Sequence, residues 1–291
     1  MNDAERAGRF AAEALEYGCG LIRPGENALE ILDKIEELIA KKNAKPAFPA
    51  QISINQVAAH CVPDGEVVLQ KQDVVKLDVG VHCNGLIGDN ARTLVFTSEH
   101  KKLVEAAEAG LKAALDVVRP GITLGKVGAA IEDAIKQRGF KSVRNLSGHL
   151  LQQYEQHAGL TIPNYDDGDA TRLEEGMLIA IEPFATDGSG FIEERKDSGI
   201  YKVEQVKNVR DAFAREMLQF ILKEYQTLPF AKRWLLRKFP VVQVEFGLRM
   251  LQRDGVLHQY QQLWEKAAGL VSQAEHTVLI GQPCVVTTYL Q

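Results

Sequence analysis

The 291-residue sequence predicts a mixed α/β (α+β) fold built from two related halves, with a helical subdomain inserted late in the chain. Three observations predict it. Arg23-Pro24-Gly25 recurs as Arg119-Pro120-Gly121, an offset of 96 residues. Alternating segments on either side of Asn84-Gly85 read as a β-hairpin. Residues 205–266 contain few glycines and prolines, and their apolar residues recur at helical spacing.

In the first half, Asn27 is a good helix N-cap, and Ala28, Ile31, Ile35, Leu38 and Ile39 form the stripe of a one-sided helix. The 96-residue offset carries this set onto Thr123 and onto Leu124, Val127, Ile131, Ala134 and Ile135. A helix also precedes each repeat, clearest in Leu103, Ala107, Leu111, Leu115 and Val118. Chance is the competing explanation for so few identities. Between the helical units, Val74–Val81 and Leu86–Phe96 flank the turn dipeptide. Later runs at Met177–Ile181 and Thr277–Ile280 have strand length. In the insertion, Phe213, Met217, Ile221 and Tyr225 share one face, and Val244, Leu248 and Leu251 share another.

Composition narrows the function. With 45% hydrophobic and 25% charged residues the chain is globular rather than disordered. No run reaches the roughly 20 apolar residues of a membrane span. The polar start (MNDAERAGRF) does not read as a signal segment, so a soluble, cytoplasmic protein without a membrane partner is expected. A net charge of −5 without a long basic run gives no specific nucleic-acid partner. Within 205–266, however, 11 Lys/Arg face 6 Asp/Glu, so the insertion is basic. Its charge reads either as a solvated helical face or as a ribosomal contact. The four cysteines form no CxxC pair and read as free thiols.

Asp78 and Asp89 lie in the hairpin. With Asn84 and Gly85 as the turn, paired residue numbers sum to 169, so Asp89 faces Gly80 and Asp78 shares that face. Gly80 then leaves room between the two carboxylates. Two carboxylates on one face repel unless a cation or a shared proton intervenes. Metal or acid–base use is one reading. The other pairs Asp78 with Lys76 and leaves Asp89-Asn90 as a solvated strand end. Three residues add weight to the first: His149 after the loop-like Asn145–Gly148, Glu182 inside an apolar run, and Glu275 at the start of another. Four carboxylates and one imidazole suit a pair of divalent cations.

Taken in order, the motifs resemble the type 2 methionine aminopeptidases. They are Asn55-Gln56-Val57-Ala58-Ala59-His60, Lys76–His82 with Asp89, and Asn145–His149. His157-Ala158-Gly159, Ile181–Thr186 and Glu275-His276-Thr277 complete them. The resemblance covers nearly the whole chain. It implies the two-fold pita-bread fold, with residues 1–204 and 267–291 as the catalytic domain and 205–266 as an inserted helical, winged-helix-like subdomain. It implies that Asp78, Asp89, His149, Glu182 and Glu275 hold two divalent metal ions (cobalt, manganese, iron or zinc), Asp89 and Glu275 bridging. His60, His157 and Glu182 are the implied catalytic residues, and Phe48, His60, His157 and Tyr260 the implied methionine pocket. The implied activity removes N-terminal methionine from nascent polypeptides whose second residue is small. The chain departs from the pattern in Cys61-Val62-Pro63 and in Ala274, where an aromatic residue is usual. It also lacks a lysine-rich N-terminal extension, like the shorter archaeal form. Two alternatives compete. X-Pro peptidases of this fold carry a full domain ahead of the metal-binding one, whereas Asp78 comes too early here. A metal-free interaction protein on the same scaffold has no need of all five ligands.

Overall fold

The computed structural model of the chain describes residues 2–63 and 65–290. Each half opens with two helices, Asp3–Leu21 and Ala28–Lys41 in the first, Lys101–Val117 and Leu124–Lys136 in the second. The repeat extends to the backbone. Gly25 (φ 93°) and Gly121 (φ 83°) adopt the left-handed conformation that glycine accepts without strain, and their N–H groups donate to Leu69 O and Leu173 O. Asn27 bridges Val68 and Thr123 bridges Arg172 in the same way. Corresponding stripe residues are buried, from Ala28, Ile31, Ile35 and Ile39 to Leu124, Val127, Ile131 and Ile135. Caps differ between the halves. Asn27 accepts from Leu29 N and Glu30 N, but the Thr123 side chain makes no capping bond. Asp169 O accepts from Gly125 N instead, whereas Leu124 N donates to Thr171 O just as Ala28 N donates to Val67 O in the first half.

The hairpin strands Val74–Cys83 and Leu86–Val95 pair in the predicted register, Gly80 opposite Asp89 and Asp78 opposite Ala91. Asn84 (φ 51°) and Gly85 (φ 87°) supply the tight turn that matches the strand twist. The order across the main sheet continues from Leu86–Val95 to Val271–Leu279, Leu178–Ile181 and Ser147–Leu151. The two halves therefore meet edge to edge. Leu77, Val79 and Val81 pack with the first helix pair, and Ile179, Ile181, Ala274 and Val278 with the second. The alternate residues project from the opposite face.

The all-helical reading of 205–266 is corrected. Ala212–Glu224, Lys232–Leu236 and Val241–Arg253 are helices, but Leu257–Glu265 is a strand between Ile192–Val203 and Val57–Ala59. Gly255, left-handed at φ 65°, ends the last helix. The strand's sequence, Leu-His-Gln-Tyr-Gln-Gln-Leu-Trp-Glu, is mostly polar. It is held by backbone pairing on both edges, which leaves little hydrophobic period to read. The helices keep a core of their own, in which Met217, Ile221, Val244, Leu248 and Leu251 are buried.

Candidate metal centre

Four neighbouring strands, and the residue that directly follows the strand Leu178–Ile181, bring one ligand-type side chain each to the face of the sheet opposite the two helix pairs. Cross-strand pairs put Asp78, Ala91 and Glu275 in one row, and His149, Ala180 and Thr277 in another. Paired residues share a face, and so do residues two apart on a strand. Asp89 lies two residues from Ala91, so Asp78, Asp89, His149 and Glu275 all face one way, and Glu182, just past the end of its strand, joins them through its contact with His149. Donor atoms of Asp89, His149 and Glu275 lie within 4.8 Å of one another. His149 Nε2 stands 3.8 Å from Asp89 Oδ2 and 3.5 Å from Glu182 Oε1. Glu275 sits in mid-strand rather than at a strand start, and His149 is likewise within a strand rather than after a loop.

Charge in this cluster is uncompensated. No Lys or Arg forms an ion pair with any of the four carboxylates among the described residues. Lys76 shares the face of Asp78 but donates to Asn55 O (2.8 Å), Val271 O (3.0 Å) and Val74 O, which removes the Asp78–Lys76 alternative. Burial raises the Asp89 carboxyl to about 7. Burial followed by mutual repulsion raises Asp78, Glu182 and Glu275 well above the carboxylate range. Asp78 Oδ1 and Asp89 Oδ1 are buried and have no hydrogen-bond partner. Unpaired buried carboxylate oxygens cost several kcal/mol unless a cation takes them up. An oxygen-rich set with one imidazole is the donor chemistry of a divalent-metal site, and the residues fit one.

Beside the cluster, Phe48, Gln51, His60, Gln156, His157 and Tyr260 line a small cleft, closed by Ile200 and Pro229. All four sequence-predicted pocket residues are among them. His60 follows the strand Val57–Ala59 in the left-handed conformation (φ 57°), which turns its ring edge-on to Tyr260 at 5.1 Å. The chain is therefore not extended through Cys61. Burial holds His60 at about 4 and His149 at about 4, so both are neutral at pH 7. His157 stands edge-on to His149 at 4.4 Å and is likewise depressed, first by desolvation and then by His149. Gly80 does not leave space between the carboxylates. A Cβ there would lie 2.1 Å from Phe48 Cε1, so the missing side chain is what admits the Phe48 ring.

Several positioning residues escaped the sequence reading. Gln273 Nε2 reaches Glu182 Oε2 and Glu275 Oε2, both at 3.4 Å, and Gln156 Nε2 reaches Asp89 Oδ2 at 3.4 Å. Thr277 Oγ1 accepts from Asp89 N and donates to Asp89 O, both at 2.7 Å. Asn164 Nδ2 donates to Glu182 O. Gln273 and Thr277 flank Glu275 at two-residue spacing, a signal that strand alternation alone supplies. Ala274 points the other way, into the core beneath the second helix pair, so this departure does not touch the cleft. His276 also turns away, bonding Thr288 Oγ1 through Nδ1.

Among the described residues, four of the insertion's eleven cations form ion pairs within the molecule. Lys232 pairs with Glu245, Arg233 with Asp33 and Glu36, Arg237 with Asp33, and Arg253 with Asp254. Among the described residues no helix is long and apolar enough to cross a membrane.

The model of metallopeptidase family M24 matches residues 2–280. The methionine aminopeptidase of Pyrococcus abyssi is 42% identical over 285 residues, 97% of this chain and 97% of its own length. Two solved structures show the same fold. A thermophilic Arx1 superposes with a TM-score of 0.84 at 16% identity, over 98% of this chain and 89% of its own. The methionine aminopeptidase of Rickettsia prowazekii gives 0.72 at 23%, over 98% and 95%.

Proposed function

The chain belongs to metallopeptidase family M24, a hydrolase that uses divalent metal, and on that premise we propose that it removes the N-terminal methionine of nascent polypeptides whose second residue is small. The observation that carries the proposal is the convergence of five donors on one sheet face, directly beside the Phe48, His60, His157 and Tyr260 cleft. In this reading residues 1–204 and 267–291 form the catalytic body. The strand Leu257–Glu265 ties it to an inserted subdomain made by the helices between 212 and 253.

Asp78, Asp89, His149, Glu182 and Glu275 would hold two divalent cations, with Asp89 and Glu275 shared between them. Cobalt, manganese, iron or zinc suits such donors. When bound, the pair supplies Lewis acidity toward the scissile carbonyl and lowers the pKa of the attacking water. Glu182, whose Oε1 stands 3.5 Å from His149 Nε2 within the cluster, would accept the proton of that water and return it to the departing amine. His157, held neutral, offers an N–H to the substrate carbonyl oxygen as negative charge develops there. His60, also neutral, hydrogen-bonds the scissile amide, and Tyr260 fixes its ring. Gln273 holds Glu182 and Glu275 in orientation, and Thr277 locks the backbone of Asp89. Phe48 and Tyr260 wall the cavity that receives the thioether side chain. The second residue must lie close to the carboxylate cluster, so a large side chain there lifts the scissile bond out of reach.

A Met-X peptide series with the metal-loaded enzyme tests this. Met-Gly, Met-Ala and Met-Ser peptides should be cleaved, and Met-Leu, Met-Phe and Met-Arg peptides should resist. Equal rates across the series would overturn the assignment in favour of a broad aminopeptidase.

A further inference from the structure

A second cavity, of about 230 Å³, opens where the inserted helices meet the first half of the body. It is separate from the cleft of the carboxylate cluster, with only Pro229 lining both. Tyr225, Leu228, Pro229, Trp234 and Pro46 give it apolar and aromatic walls, and the two charged residues beside them, Glu36 and Arg237, are already engaged in ion pairs with Arg233 and Asp33. Lys45, His82 and Glu224 also line an adjoining polar cleft, so they stand where the apolar cavity opens outward. Lys45 Nζ lies 3.3 Å from Glu224 Oε2 in an ion pair with half-exposed side chains. Such a pair contributes at most about 1 kcal/mol, so it opens at little cost. His82 Nδ1 accepts from Gly85 N, which puts the proton of the neutral ring on Nε2 and makes that atom a donor.

From these features we infer that the junction cavity binds a free α-amino acid with an apolar side chain. The volume falls just below the roughly 300–1,000 Å³ of pockets for drug-sized ligands, which selects a small metabolite. The ligand needs an apolar body for the Trp234 and Tyr225 walls. It needs one anionic and one cationic end to replace, pair for pair, the Lys45–Glu224 bridge. A zwitterionic amino acid has all three. Its carboxylate meets Lys45 and the His82 Nε2–H, its ammonium meets Glu224, and its side chain enters the cavity. An apolar compound without charges would leave the ion pair in place, and a peptide would carry its next residue into the rim. The inference is independent of the aminopeptidase reading, since none of these residues belongs to the carboxylate cluster or its cleft apart from the Pro229 wall.

Calorimetric titration of the metal-loaded protein with L-methionine and with L-leucine tests it. The Asp89→Ala variant is titrated in parallel, so that a site dependent on the carboxylate cluster is told apart from one that depends on Lys45 and Glu224. The expected result is one site per chain retained in Asp89→Ala. Affinity should fall at least tenfold in Lys45→Gln and in Glu224→Gln, whose exposed or half-exposed side chains leave the fold undisturbed. N-acetyl-L-methionine and 3-(methylthio)propylamine, each lacking one charge, should also bind at least tenfold more weakly. Binding lost in Asp89→Ala, binding indifferent to both rim substitutions, or no binding at all would overturn the inference.

Discussion

Glu36→Ala should loosen the inserted helices from the body, and its cost follows from what the carboxylate touches. Glu36 is 5% exposed, accepts from Trp234 Nε1 at 2.8 Å, and pairs with Arg233 Nη2. Burial raises its carboxyl above the ordinary range in spite of Arg233, so the intact pair is not strongly stabilising in total. The loss arises from what remains. Arg233, with a side chain 16% exposed, keeps Asp33 at 2.6 Å but loses half its neutralisation, and the indole N–H loses its acceptor. Breaking one partner of a buried pair costs roughly 3–5 kcal/mol. Asp33 and the adjacent cavity, which admits water, set the value near the low end, about 3 kcal/mol. At about 2–4 °C per kcal/mol the Tm should fall by roughly 6–12 °C. Glu36→Gln, which keeps an acceptor for Trp234, should lose only about 1–2 kcal/mol. Urea titration of the metal-loaded protein measures each value, and a double-mutant cycle with Arg233→Met should give a coupling of at least about 1 kcal/mol. A loss below about 1 kcal/mol in Glu36→Ala, or a cycle that closes additively, would refute the clamp.

Three further outcomes are expected. Asp89→Ala and Glu275→Ala should each reduce turnover at least about a thousandfold with near-native circular dichroism, since two cations share each side chain in the proposed site; chelator should silence the wild type reversibly, and a near-native rate in Asp89→Ala sinks the assignment. Gly80→Ala should push the Phe48 ring toward the cleft, at about 1–3 kcal/mol of stability and with KM for Met-Ala peptides raised more than kcat falls; unchanged KM counts against Phe48 as a pocket wall. Burial, aided by Lys45, depresses His82 to about 4 from an ordinary 6.5, so its stabilising effect is complete above pH 6.5 and lost as the pH falls toward 4. Over that window His82→Asn should flatten the pH dependence of unfolding by roughly 3 kcal/mol, and an identical slope in the variant refutes the buried neutral imidazole.

What the sequence made legible follows from periodicity. Hairpin register and ligand face come from one arithmetic fact, the two-residue period of a strand closed by Asn84-Gly85, and the structure pairs Gly80 with Asp89 accordingly. The helical stripes repeat because both halves bury the same pattern, Ile31, Ile35 and Ile39 in one and Val127, Ile131 and Ile135 in the other. Legibility fails where backbone pairing or long-range packing decides. Leu257–Glu265 is a strand because partners stand on both its edges, and its polar sequence shows neither helical nor strand period. Thr123 looks like a cap equal to Asn27, yet Asp169 O, nearly fifty residues on, takes the Gly125 N–H that such a cap would satisfy. The purpose of Gly80 is fixed by Phe48, thirty-two residues away, which no local pattern encodes. Gln156 lies between these cases. Its place beside Asp89 depends on the turn that presents His157, so a residue adjacent to a recognised histidine stays silent until the loop is folded. Side chains that hold the site in register are therefore the harder half to read. A ligand must be Asp, Glu or His, whereas a positioning residue is chosen by whatever distance the fold leaves to be spanned.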